Sequence, residues 1–215
     1  MDFILKSFIA QNLIKTQSDS LKKLYGYSYD KFILSCLFKT IICDRSDFVW
    51  YYDAVYGNCY RFNSGKHENG TKSKLKKLNK VGIRDGLMLD LFVGDGSGPF
   101  YLGSGARIFI HNHSFISYPY EGFIEKSGTI TSVILSKTFS KKLPYPYSYC
   151  VSVLERVDSK LYKIITGRNN TYKKSDCLNL CYQYKLTNTC SCYDTTYEPI
   201  SIKDRPCISI NDIKL

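Results

Sequence analysis

An α+β chain is what the sequence predicts, with helices first, strands through the middle and a cysteine-rich helix last. Three observations carry that order. Apolar residues near the start recur at helical spacing, β-branched and aromatic residues alternate from 48 to 139, and four cysteines crowd 177–192.

The elements follow in order. Residues 1–35 read as helical, because Ile4, Leu5, Phe8, Ile9, Leu13 and Ile14 share a face. Tyr25-Gly26-Tyr27 interrupts the rhythm, and Asp30 is placed to cap a short turn through Phe32-Ile33-Leu34. From Phe48 the period changes. Strands are expected at 49–52, 59–62, 87–93, 107–111 and 129–136, with Phe139 continuing the last, each bounded by Gly, Asn or Pro. The rings of Trp50, Tyr51, Tyr56, Tyr60 and Phe62 alternate about Gly57, so alternate rings are expected to enter the core. Glycines at 94, 96, 98, 103 and 105 mark turns, and Leu143-Pro144-Tyr145-Pro146-Tyr147 closes the strand region. Beyond Cys150, 175–186 has a helical rhythm that sets Cys177 and Cys181 one turn apart on one face, and a cysteine-rich tail follows.

Composition excludes several classes. With 215 residues, 44% apolar and 15% aromatic, the chain can bury a core, so it is not disordered. No run of 18 apolar residues suits a membrane helix, and Asp2 and Lys6 spoil the first ten residues as a signal peptide. The formal charge of +11 concentrates between Lys66 and Arg84, where Gly and Asn interleave. A solvated loop between strands explains that run, and without a nucleic-acid-binding signature no nucleic-acid partner is expected.

Nine cysteines point to an oxidising compartment, as do three glycosylation acceptors by pattern at Asn69, Asn112 and Asn169. An odd cysteine count without an export signal is most economically a piece of a longer protein. Cys177-x3-Cys181-x8-Cys190-x-Cys192 suits either a zinc cage or disulfides; the tight Cys-x-Cys and the lack of a supporting His favour disulfides. His111 and His113 would share a face only if a strand ran through both, and they have no third ligand nearby in sequence. The glycine-rich stretch from Gly94 lacks the Lys-Ser/Thr of a phosphate loop. No cysteine has a recognisable base. No metal, cofactor or enzyme activity is therefore expected.

Motifs in one order carry a resemblance. Ser35-Cys36-x6-Cys43, Asp47-Phe48 and Tyr56-Gly57-Asn58-Cys59-Tyr60-Arg61-Phe62-Asn63 come first. Gly86-Leu87-Met88-Leu89-Asp90-Leu91, Ile110-His111 and the spaced Pro119, Gly122, Gly128 and Thr131 follow. Leu143-Pro144-Tyr145-Pro146-Tyr147-Ser148-Tyr149-Cys150 and the ladder from Tyr172 through Cys177 to Pro206-Cys207 complete the set. Over 25–207 the chain resembles the extracellular domain of the epithelial sodium channel/degenerin/acid-sensing channel superfamily.

That resemblance implies a subunit of a trimeric, sodium-selective cation channel of the plasma membrane, partnered by other subunits in a homo- or hetero-trimer. Within it, 1–47 would be partial finger helices, 48–146 palm and β-ball strands with a loop at 64–85, and 147–215 a truncated thumb. The membrane helices, pore and sodium path of the family have no counterpart in these residues. The family's pattern implies bridges Cys36–Cys43 and Cys192–Cys207, and leaves Cys59, Cys150, Cys177, Cys181 and Cys190 without partners in this chain. An extracellular ligand, peptide or proton, is implied for the parent; Asp95 alone between Gly94 and Gly105 gives proton gating little support. The alternatives are a secreted cysteine-rich binding module and a non-conducting relic or decoy of a channel subunit.

Overall fold

The computed structural model describes residues 13–53, 55–80, 82–94, 105–113, 118, 120–151, 157–167, 172–201 and 203–207, with the Ile83 side chain excepted. It mixes short helices with antiparallel sheets and two disulfides, consistent with an α+β chain.

Between 13 and 32 the helical reading yields only short pieces: α1 (Asp19–Lys22), a 3-10 turn (Lys23–Tyr25) and α2 (Tyr29–Phe32). Residue 28, not Asp30, precedes α2, and Asp30 lies within its first turn. The turn expected through Ile33-Leu34 is instead the start of β1 (Ile33–Phe38), since these β-branched and apolar residues find a strand partner. β1 pairs with β2 (Ile41–Ile42) on one side and β5 (Leu87–Leu91) on the other, with Cys36 opposite Leu89. The β1–β2 turn is made by Lys39 and Thr40, both at positive φ, 54° and 63°.

β3 (Phe48–Asp53) and β4 (Gly57–Phe62) form a hairpin with Phe48 opposite Phe62 and Trp50 opposite Tyr60. Its loop is fixed at both ends. Asp53 Oδ1 accepts from the backbone N–H groups of Val55 (2.8 Å) and Tyr56 (3.0 Å), and Gly57 takes φ +74°, the left-handed position that glycine fills without a Cβ penalty. Alternation places the inward rings together. Ile33, Cys36 and Phe48 are buried, and Tyr29, Phe32, Tyr60, Phe62, Leu89 and Leu91 pack against them. The Phe48 ring centroid lies 5.2 Å from those of both Tyr29 and Phe62.

β6 (Ala106–Ile108) pairs with β7 (Phe123–Glu125), a strand the sequence reading missed. Here a Cβ on Gly122 would lie 2.2 Å from the Ile108 carbonyl oxygen, so only glycine allows that approach. Residues 129–136 and Phe139, expected as strand, form no element. There, Ile130, Ile134 and Phe139 are 102%, 95% and 83% exposed. Alternation supplies a face but not the ladder; a strand needs a neighbour's hydrogen bonds. The glycine turns at 96, 98 and 103 and the acceptor Asn169 lie outside the described residues.

α3 (Lys160–Gly167), also missed, packs beside α4 (Lys174–Cys190), whose observed span contains the expected 175–186. Among the described residues no helix is long and apolar enough to cross a membrane.

Candidate functional site

The Tyr56-to-Asn63 block organises one end of the chain. Asn58 Oδ1 accepts from Trp50 Nε1 at 3.0 Å, while its Nδ2 donates to the Lys23 carbonyl at 3.0 Å and the Tyr27 carbonyl at 3.2 Å. Gly26 allows this contact, because a Cβ there would come within 3.0 Å of the Asn58 side chain. Tyr60 OH donates to the same Tyr27 carbonyl at 2.8 Å. Asn63, at φ 56°, meets the peptide of Lys76 with both side-chain atoms, accepting from N–H at 2.8 Å and donating to C=O at 3.0 Å. One strand thus ties down both the N-terminal turns and the basic loop. Asparagine suits both ties because it offers a donor and an acceptor on one short arm.

These ties frame an open cleft of about 560 Å³ whose lining includes Tyr29, Arg45, Trp50, Tyr60, Glu68 and Asn69. Asp44 begins the 3-10 turn Arg45–Asp47 with a capping box, and the Ser46 hydrogen bonds hold its carboxyl below the usual range. That turn aims the Arg45 guanidinium at the Tyr29 ring, 4.5 Å from its centroid. Lys23 Nζ sits 4.7 Å over the Trp50 ring and 2.9 Å from Glu68. Within the basic loop most side chains face solvent, but Lys76 turns back to Asp47 at 2.9 Å.

The second cluster surrounds α4. Cys192 and Cys207 are bonded, with Cα atoms 5.1 Å apart, and both are buried. Gln183, fully buried, reaches from α4 into this tail. Its Nε2 donates to the Asp194 carbonyl at 2.8 Å and the Glu198 carbonyl at 3.3 Å, and its Oε1 accepts from the Asp194 N–H at 2.9 Å. On the opposite end of the helix the Tyr118 hydroxyl donates to buried Asp176 at 3.0 Å, and Asn179 donates to the Tyr120 hydroxyl at 3.0 Å. Burial and then Asp176 raise the Tyr118 phenol well above its ordinary pKa, against the opposing Asn179 hydrogen bond.

Cys36 and Cys43 are bonded across the β1–β2 hairpin, with Cα atoms 5.4 Å apart. The five remaining cysteines carry no disulfide: Cys150 and Cys181 are exposed, and Cys59, Cys177 and Cys190 are half-buried. Cys59 stands opposite Tyr51 in the hairpin, and burial, with Asp53 adding, pushes its thiol up to about 12. His111 hydrogen-bonds the Asn112 carbonyl through Nδ1 at 2.8 Å, and burial lowers its pKa. Among the described residues no three His, Cys, Asp or Glu side chains converge as metal ligands. Asn69 and Asn112 are exposed. Sequence reasoning missed the Asn58 and Asn63 ties, Arg45 and Gln183. For the asparagines the signal was present, since Asn58 lies inside β4, where a turn former is unexpected, and Asn63 follows it directly; Gln183 had none.

Comparison with known proteins places these features in context. A family model described as amiloride-sensitive sodium channel matches residues 3–214. The chain is 35% identical over 181 residues to the epithelial sodium channel subunit gamma of Pelodiscus sinensis, covering 80% of the chain and 25% of that protein. It is 33% identical over 189 residues to the subunit beta of Rattus norvegicus (85% and 28%), and 30% over 175 residues to the human subunit gamma (78% and 25%). The chain spans about a quarter of the length of the curated relatives it matches.

Proposed function

From the premise that the chain belongs to the amiloride-sensitive sodium channel family, we propose that it forms part of the extracellular domain of a channel subunit. In this reading 1–47 belongs to the finger region, 48–146 to palm and β-ball with a loop at 64–85, and 147–215 to a truncated thumb. The parent assembles with other subunits as a trimer and passes sodium at the plasma membrane. Its matched relatives are channel subunits rather than enzymes.

The observation that carries the proposal is the cysteine pattern within the family match. Two local bridges close, and five thiols stay unbonded in a chain that covers about a quarter of its relatives' length. A self-contained secreted module in an oxidising compartment leaves few thiols unbonded, because such thiols exchange and cross-link. Within 129–143, Ile130, Val133, Ile134, Leu135 and Phe139 are exposed, and so many exposed apolar side chains in one short segment support the same reading.

Extending the reading frame at the genomic locus tests the proposal first. An apolar run of about 20 residues on each side is the expected result. The extended protein, expressed alone and with beta and gamma subunits of a relative, is then expected to give an amiloride-sensitive sodium current. Stop codons on both sides, or a signal peptide followed directly by this chain, would refute the channel reading.

A further inference from the structure

The run from Lys66 to Arg84 is a charged feature that the channel reading leaves without a task. It holds seven basic side chains against one acid, Glu68, which Lys23 already engages at 2.9 Å. Among the described residues Lys76 is the only one of the seven with a carboxylate partner, Asp47 at 2.9 Å. Lys66, Lys72, Lys74, Lys77, Lys80 and Arg84 are exposed. Like charges so close would spread on a slack loop, but this loop is pinned. Asn63 holds the Lys76 peptide through both N–H and C=O, and the Ser73 N–H donates to the Gly65 carbonyl at 3.0 Å. Lys66 and Lys72 face each other in an antiparallel bridge, and the His67 N–H donates to the Thr71 carbonyl at 2.8 Å. Gly65, at φ +73°, leaves room for Leu75, whose Cδ2 would lie 3.3 Å from a Cβ placed there. Backbone ties, rather than counter-charges, thus keep the lysines together.

We propose that this loop docks a sulfated, uronate-containing polysaccharide, with Lys66, Lys72, Lys74 and Lys77 as its sulfate ligands. Lys72-Ser73-Lys74-Leu75-Lys76-Lys77 is a lysine-dense run of the kind that binds heparin or nucleic acid. Its neighbours decide between the polyanions. Between Lys66 and Lys77 there is no Phe, Tyr or Trp on which a base could stack. The sole aliphatic side chain there, Leu75, is half-buried, so nothing in that stretch enters a bilayer. Exposed cations without rings or acyl-binding side chains suit a polymer that presents charge alone. Such a polymer relieves the mutual repulsion of the lysines, and the pinned backbone has little order left to lose on binding. Lys76, held by Asp47, positions the loop and is not a ligand. The choice of a polysaccharide rests on the extracellular placement proposed above, where sulfated chains are the common polyanion.

The test is cell-free and reads no current, so its failure leaves the reading-frame test of that placement untouched. Binding of the 215-residue chain to a size-fractionated heparin oligosaccharide is measured across a range of salt. In Lys72→Gln/Lys74→Gln/Lys77→Gln the slope of log Kd against log salt is expected to fall by about 2–3, at the 0.7–0.9 or so per contact that counterion release gives on nucleic acids. Lys137→Gln/Lys141→Gln/Lys142→Gln removes the same charge from another exposed segment and is expected to change the slope by less than about 1. Emission from Trp50, the sole tryptophan, checks that both variants keep the fold beside the loop. A second readout needs no variant. Acetylation of the parent chain with the oligosaccharide bound is expected to spare Lys66, Lys72, Lys74 and Lys77 while Lys141 and Lys142 react as in the free chain. A loop variant whose slope falls no further than the control's, or protection spread evenly over the lysines, shows only the general pull of a cationic chain and overturns the site. Single-stranded DNA or phosphatidylserine vesicles that displace the oligosaccharide as well as heparin does, at equal charge, overturn the choice of partner.

Discussion

Replacing Gln183 by leucine removes a side chain of similar length while deleting three hydrogen bonds to the tail. The contacts at 2.8 and 2.9 Å are the strong pair, and both end on the Asp194 peptide. After Gln183→Leu that N–H and C=O face an apolar group. A buried backbone group left unpaired costs about 1–3 kcal/mol. Asp194 is half-buried, so water relieves part of each loss, and a total of about 2–3 kcal/mol follows for holding the tail on α4. At about 1.4 kcal/mol per decade, local opening should speed hydrogen exchange over 193–207 by about 30- to 140-fold. Amides such as Tyr193, bonded to the Arg205 carbonyl at 2.9 Å, report it with Cys192–Cys207 intact. Gln183→Glu gives a second readout. Its carboxylate faces the Asp194 and Glu198 carbonyl oxygens, which raises its pKa, so protection is expected to be poor at neutral pH and to recover as pH falls through that value. Exchange in Gln183→Leu within about threefold of the parent, below about 0.7 kcal/mol, would refute the clamp.

Three further outcomes are expected. Cys36→Ser with Cys43→Ser opens an eight-residue loop and is expected to lower stability by up to about 2.5 kcal/mol, measured by denaturant unfolding of the hairpin region. Brief alkylation of the native chain near pH 8 is expected to label exposed Cys150 and Cys181 while sparing Cys59, whose thiol is held up near 12; peptide masses that show Cys59 labelled as fast as Cys181 would contradict its burial. Burial raises the phenols of Tyr51 and Tyr118, and those of Tyr52 and Tyr182 to about 12. Their folded state keeps protons that the unfolded state loses, so stability is full below the ordinary phenol pKa of about 10 and falls as pH rises from there; unfolding midpoints that stay flat across that range would count against it.

How much of this was legible depends on where the determining contact lies. The 57–62 strand announces itself, because a ring alternation and a glycine turn are local signals, and β4 forms over them. The cysteine pair Cys36 and Cys43 is likewise close in sequence, and its hairpin brings the two Cα atoms to 5.4 Å. The 129–136 segment has the same alternation but no ladder among the described residues, so the local pattern overstated it. Phe123–Glu125 shows the converse: three residues are too few for a pattern, and β6 with Gly122 makes them a strand. Ile33 was assigned by its helical neighbours, whereas Leu91, 58 positions away, decides its conformation. Gln183 is invisible for the same reason. A glutamine on a helix usually meets water, and only the return of the tail at 194–198 turns it into a buried tie.

The exposed apolar side chains at 130–139 have a consequence in time rather than in shape. A newly made chain normally escapes chaperones and proteases by folding, which hides the side chains they read. Ile130, Ile134 and Phe139 remain in reach after the cysteines have bonded and the hairpins have closed. Completion of the fold therefore does not end surveillance of this molecule. If the parent assembles with other subunits as proposed, an encounter that covers the stretch is what ends it, and the chain's lifetime is then expected to follow the amount of partner present.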